Sequence, residues 1–116
     1  MKAFAWSHQR KSLDELVDRS GLDQAPGWMV PALEAARIAP SAVNRQPWRF
    51  RLEPDRITVS VDRPRFELGI SKRLDCGIAM LHVEVAAMAE GVHGTWEFQE
   101  SPMVATFTAA GSTPVD

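Results

Sequence analysis

Between Lys72 and Glu90 the chain carries an unbroken helical pattern that is apolar on more than one side. Leu74, Ile78, Leu81, Val85 and Met88 share one stripe, while Gly77, Ala79, Met80, Val83, Ala86 and Ala87 make much of the remaining surface small or apolar. A helix apolar this far round belongs in a core or an interface. Ser71 ahead of it suits an N-cap and Gly91 behind it a stop. With 116 residues the chain can build one domain with one modest core. Covering such a helix from all sides within that length is hard, so dimerisation is expected.

The rest of the chain supplies the elements that pack on this helix. Met1 to Gln9 holds Phe4 and Trp6, which read as an arm. Ser12-Leu-Asp-Glu15 has capping-box spacing, so a helix is expected over Leu13 to Arg19, ended by Gly21. A second amphipathic helix begins near Trp28, with Pro31 tolerated in its first turn. Trp48, Phe50 and Leu52 alternate with Arg49 and Arg51, and Ile57, Val59 and Val61 alternate with Thr58 and Ser60. Joined by the turn Glu53-Pro-Asp-Arg56, these predict a β-hairpin. Asp62 to Ser71 reads as an irregular crossover. Thr95 to Gln99 and Met103 to Thr108 read as two further strands. The fold class is therefore α+β: an antiparallel or mixed sheet packed with a long buried helix. Residues 1–110 form a single domain, which could be a partial one, and 111–116 a disordered tail.

Composition excludes several classes. A net charge of −2 leaves no basic footprint for nucleic acid. The single cysteine, Cys76, cannot form an intramolecular disulfide or a cysteine-rich metal site. No apolar run is long enough to span a bilayer, and Met1 to Arg10 lack a secretory signal's apolar core, which predicts a cytoplasmic protein. There is no glycine-rich dinucleotide fingerprint, P-loop, zinc-ligand pair or nucleophile elbow. His82 has no second metal ligand at helical spacing and reads as a structural histidine. Cys76 near a helix N-terminus could have a lowered pKa, although a small buried role is commoner.

The chemistry-bearing stretch is Ala39-Pro-Ser-Ala-Val-Asn-Arg-Gln-Pro-Trp-Arg-Phe50. Pro40 and Pro47 stiffen the backbone on either side of a polar run. Ser41, Asn44 and Gln46 can each donate and accept hydrogen bonds, and Arg45 adds a positive charge. Such a loop could read the polar edge of a flat heterocycle or cap an anion. Equally, Ser41 and Asn44 could simply satisfy the turn's own backbone.

The run Pro40-Ser-Ala-Val-Asn-Arg-Gln-Pro-Trp48, with Leu33 to Ala39 ahead of it, resembles the A-P-S-x-x-N-x-Q-P-W signature of the nitroreductase family of FMN-dependent oxidoreductases. The likeness is greatest to the TM nitroreductases whose single long chain carries two related halves, of which this chain resembles the later. Arg10-Lys-Ser-Leu13, Leu74 to His82 and Ala86 to Trp96 follow in the family's order. The resemblance implies an FMN site at an interface between two subunits or two halves. Pro40, Ser41 and Asn44 would contact the isoalloxazine, Gln46 would support the loop, and Arg10 and Ser12 would reach the phosphate or ribityl side from the other chain. It also implies NAD(P)H as donor, a nitroaromatic or quinone-like small molecule as acceptor, no catalytic acid or base, and a homodimer or a pairing with a missing half.

One position departs from the family pattern. Asp14 stands where the family's Arg-x-Ser-x-Arg arrangement has its second basic residue, and a carboxylate there repels a phosphate. Helix capping accounts for Ser12 as well as a flavin role does. Arg63, Arg65, Lys72 and Arg73 could touch a phosphate or a nicotinamide cofactor, but scattered surface charge is more often only solvated. A non-catalytic flavin-binding or dimerisation domain that has kept this fold is the alternative reading.

Overall fold

The computed structural model describes residues 9–62 and 71–110. The elements run α1 (Leu13–Leu16), α2 (Arg19–Asp23), α3 (Met29–Arg37), a 3-10 turn (Ala42–Asn44), β1 (Trp48–Glu53), β2 (Arg56–Val61), α4 (Lys72–Ala89), β3 (Gly94–Phe98) and β4 (Met103–Ala109). The four strands form one antiparallel sheet in the order β1-β2-β4-β3. The expected α+β architecture is the one observed. Phe4, Trp6, Arg63, Arg65 and the tail 111–116 lie outside the described residues.

The hairpin pairs Trp48 with Val61 and Glu53 with Arg56, as the alternation requires. Trp48, Phe50, Ile57 and Val59 are buried with Leu16, Met29, Leu33, Val83 and Phe107 in the core. Phe107 on β4 meets Trp28 edge-on at 5.9 Å and Trp96 at 5.0 Å, contacts worth about 0.5–1.5 kcal/mol each beyond area burial. Thr58 and Thr106 are buried directly opposite each other and satisfy their hydroxyls mutually, Oγ1 to Oγ1 at 3.0 Å.

The first expected helix is broken in two. Val17 is extended and makes an isolated parallel bridge to Phe50 on the outer side of β1. A buried β-branched residue gains more from that edge than from continuing a short helix. Asp18 then starts α2, and Gly21 lies inside it instead of ending it. A Cβ on Gly21 would stand 3.4 Å from the Leu52 side chain, so the helix lies close to β1 there.

Helix α4 packs against α3 and over β1 and β2. Ser71 caps it, accepting from the Arg73 N–H at 3.1 Å. It ends in a Schellman motif: Val92 N–H donates to Ala87 O at 2.8 Å and Gly91 N–H to Met88 O at 2.9 Å, with Gly91 at φ 80°. Its buried residues are Lys72, Asp75, Cys76, Ala79, Met80, Val83 and Ala87. The larger apolar stripe faces the other way: Leu74, Leu81, Val85 and Met88 are each at least half exposed. Small residues let the helix lie close to α3 and the sheet, so the bulky set is left outside. Within one chain this helix is buried on one side only.

Candidate functional site

The loop between α3 and β1 is held by its own side chains and by two distant segments. Asn44 and Gln46 both adopt left-handed backbone, at φ 56° and 48°. Such conformations cost about 1–3 kcal/mol for residues other than glycine and persist where surrounding bonds enforce them. Ser41 Oγ accepts the Gln46 N–H at 2.9 Å, spanning the turn. The serine thereby satisfies loop backbone, and its O–H proton can go to a second acceptor.

Gln46 is the clamp between this loop and the segment ahead of α1. Its side chain is buried; Oε1 accepts the Lys11 N–H at 2.7 Å, and Nε2 donates to Gln9 O at 3.2 Å and Asn44 O at 3.0 Å. Asn44 Nδ2 donates to the same Gln9 carbonyl at 2.8 Å. Arg37 on α3 reaches Lys11 O at 3.4 Å, and Arg10 reaches Ile38 O at 3.4 Å. The signature loop and residues 9–11 are therefore one stitched unit.

Along that seam lies a cavity of about 330 Å³ lined by Gln9, Arg10, Lys11, Glu15, Asn44 and Gln46. Three of the six residues singled out from sequence, Arg10, Asn44 and Gln46, meet here from a single chain. Ser41 sits half-buried behind the turn. Ser12 is exposed, and with Glu15 it forms the capping box of α1, in which Glu15 Oε1 accepts the Ser12 N–H at 2.9 Å. Pro40 is at the surface. Neither Pro40 nor Ser12 lines the cavity.

Three lining residues were not singled out as site residues: Gln9, Lys11 and Glu15. Lys11 adjoins Arg10 in sequence and supplies a second cation; its neighbourhood was the available signal. Glu15 carries the one carboxylate of the lining and is held by the helix cap.

Other charged groups considered from sequence are committed elsewhere. Lys72 is buried and donates to Asp62 at 3.1 Å. Arg73 donates to the carbonyls of Met103 at 3.1 Å and Gln99 at 3.2 Å, clasping the β3–β4 connection. His82 Nδ1 bonds Ile78 O at 2.9 Å, one helical turn back. Cys76 is fully buried, and desolvation, helped by the Asp75 charge beside it, pushes its thiol up to about 12. The lowered value considered for a helix N-terminus is overturned, because burial outweighs the dipole here. Among the described residues no group of three metal-ligating side chains occurs, and no helix is long and apolar enough to cross a membrane.

A larger cleft of about 410 Å³ opens at the other end of β1, between Trp28, Asp55 and His93. It gathers none of the residues singled out from sequence. Its carboxylate, Asp55, is engaged by Arg56 at 3.1 Å, a bond that holds the acid below its usual range.

Comparison with known proteins agrees with the residue-level likeness. None of the curated proteins matches the chain. A solved structure of a nitroreductase described as putative, from Thermotoga maritima MSB8, superposes with a TM-score of 0.68 at 23% identity, covering 86% of this chain and 42% of that one. At that identity the likeness shows the fold, and the chain spans less than half of the neighbour's length. Residues 2–87 match the family model described as "Putative TM nitroreductase". By a match over most of its length, the chain belongs to that nitroreductase family.

Proposed function

We propose that the chain is an FMN-dependent oxidoreductase that passes hydride from NAD(P)H through FMN to a nitroaromatic or quinone-like acceptor. The observation that carries this reading is the convergence of Arg10, Lys11, Asn44 and Gln46 on one cavity between residues 9–11 and the signature loop. The donor set fits the cofactor. Two cations suit a phosphate, and a polar, stiffly held loop suits the hydrogen-bonding edge of a flat ring. Arg10 and Lys11 would hold the phosphate, with Asn44, Ser41 and the backbone near Pro40 toward the ring. Gln46 keeps the two sides together. FMN, when bound, supplies the capacity to accept and pass on two electrons. This chain's residues bind and orient it, and none of them needs to act as an acid or base.

The cavity's size bears on assembly. Ligand pockets run from about 300 to 1,000 Å³, so about 330 Å³, open to solvent, is at the small end for a site that holds FMN. The outward apolar stripe of α4 gives a surface on which a second copy, or a further half of the same kind, could pack and complete it. Covering the exposed half of Leu74, Leu81, Val85 and Met88 would contribute about 1 kcal/mol per side chain. We read the working unit as a homodimer or a pairing with such a half.

The alternative is a flavin-binding or dimerisation domain without turnover, which Asp14 in place of a basic residue favours. Titration of the purified chain with FMN, followed by flavin fluorescence and with riboflavin as comparison, tests the main reading. Saturable binding that is weaker for riboflavin supports a phosphate-reading site, and absence of quenching refutes it. Reduction of bound flavin by NADH or NADPH then separates an enzyme from a non-catalytic relative.

A further inference from the structure

We infer that Asp75, in the first turn of α4, is the positioning residue that sets the conformation of the flavin-facing loop. The inference rests on the flavin reading of the cavity. Asp75 is buried, with its side chain 4% exposed, and is 33 residues away in sequence from the loop it touches. Its two carboxylate oxygens accept the Ala42 N–H at 3.2 and 3.3 Å. Oδ2 also accepts Arg45 Nε–H at 2.8 Å. Ala42 opens the 3-10 turn and Arg45 closes it, so one carboxylate grips both ends of the turn that contains Asn44.

Three physical points make this more than a buried ion pair. The first is strain: the left-handed backbones of Asn44 and Gln46 require outside bonds to persist. Asp75 holds the near side of the turn, while Ser41 Oγ holds the Gln46 N–H on the far side. The second is the acceptor itself. A carboxylate in the first turn of an 18-residue helix is favoured by the helix dipole, and it can take a backbone N–H and a guanidinium together. An apolar residue of the same size would leave the Ala42 N–H without this acceptor. The third is charge. Arg45 is the one cation of the signature loop, and Asp75 engages it, so an anion in the cavity is read by Arg10 and Lys11. The loop thus presents shape and hydrogen bonds toward the ring, and the segment before α1 presents charge toward the phosphate.

The test compares the wild-type chain with Asp75→Asn, Arg45→Gln and Arg45→Lys, reading FMN and riboflavin affinity together with amide exchange at Ala42 and Gln46. Asp75→Asn and Arg45→Gln are expected to speed exchange at those amides and to weaken FMN binding about tenfold or more. Riboflavin should weaken in the same proportion, because the phosphate contacts are untouched. Arg45→Lys, which keeps the charge, should recover most of the affinity. If the wild-type chain binds FMN and Arg45→Gln binds it equally well, the positioning role is refuted and the flavin site stands. Should Asp75→Asn fail to fold, the two Arg45 variants decide the question by themselves. If the wild-type chain binds no FMN, the flavin reading falls and the inference with it, a result no variant can imitate.

Discussion

Truncating Gln46 should separate the two sides of the cavity without unfolding the domain. Gln46→Ala removes three hydrogen bonds, from Lys11 N–H at 2.7 Å and to the carbonyls of Gln9 and Asn44 at 3.2 and 3.0 Å. At about 1 kcal/mol net for each bond, the loss is about 2–3 kcal/mol. Little of it should appear in global stability, because Gln46 bonds residues 9–11 and its own loop and not the sheet. Asn44 Nδ2 to Gln9 O at 2.8 Å and the longer contacts of Arg37 and Arg10 at 3.4 Å are untouched by the change. Local undocking is therefore the expected outcome.

Amide exchange at Lys11 measures this directly. A loss of about 2–3 kcal/mol corresponds to about 30- to 160-fold weaker protection, with the amides of Val59 and Ala105 in the central strands unchanged. FMN affinity should fall in parallel, because Arg10 and Lys11 leave the cavity when the segment does. Gln46→Glu offers a graded control. It keeps an acceptor for Lys11 N–H but sets a carboxylate against two carbonyls, so it should undock the segment too. Lys11 protection in Gln46→Ala within about threefold of wild type would refute the clamp, since that is under 1 kcal/mol.

Gly94→Ala should destabilise the whole domain. An added Cβ would lie 2.4 Å from Thr108 O and 2.6 Å from the Phe107 ring, a backbone atom and a fully buried side chain that cannot turn aside; a loss of about 2–3 kcal/mol by urea unfolding is expected. Leu81→Asp, on a side chain 59% exposed, should leave the melting temperature nearly unchanged yet shift the chain toward monomer in sedimentation; an unaltered association state would count against α4 as the pairing face. Cys76 should resist alkylation by iodoacetamide at pH 8.5, because its thiol is held up to about 12. The folded chain then keeps a proton that the unfolded chain releases from about pH 9, so this group's contribution is complete below 9 and falls as pH rises toward 12. Cys76→Ala should flatten that alkaline decline.

Local rules made most of the fold legible. The alternation of Trp48 to Val61 gave the hairpin, and Ser71 and Gly91 bounded α4 because caps depend on neighbours in sequence. Val17 escaped the same reasoning, since its bridge to Phe50 is a tertiary contact that overrides a four-residue helix. Helical spacing grouped Leu74, Leu81, Val85 and Met88 correctly, but periodicity does not tell which of two apolar faces turns inward. Packing distance decides that, and the faces with Ala79, Val83 and Ala87 fit closer. At the site, the A-P-S-x-x-N-x-Q-P-W stretch pointed to the loop whose Asn44 and Gln46 line the cavity. Gln46 as a clamp on Lys11 and Asp75 as a grip on Ala42 lie 35 and 33 residues from their partners, beyond the reach of any local pattern.

Helix α4 joins the two proposals made for this chain. Its first turn holds the loop through Asp75, and its outward stripe starts at Leu74, the adjoining residue. A second copy seated on that stripe would pack beside the element that fixes the loop, and burying it would steady α4 from the side opposite the sheet. If that copy also completes the cavity, binding and association become linked equilibria, and each must strengthen the other by the same factor. FMN affinity would then rise with chain concentration in the wild type and lose that dependence in Leu81→Asp. An affinity that stays constant across a concentration range in which the chain passes from monomer to dimer would mean that one chain holds the flavin alone, and the apolar face would need another occupant.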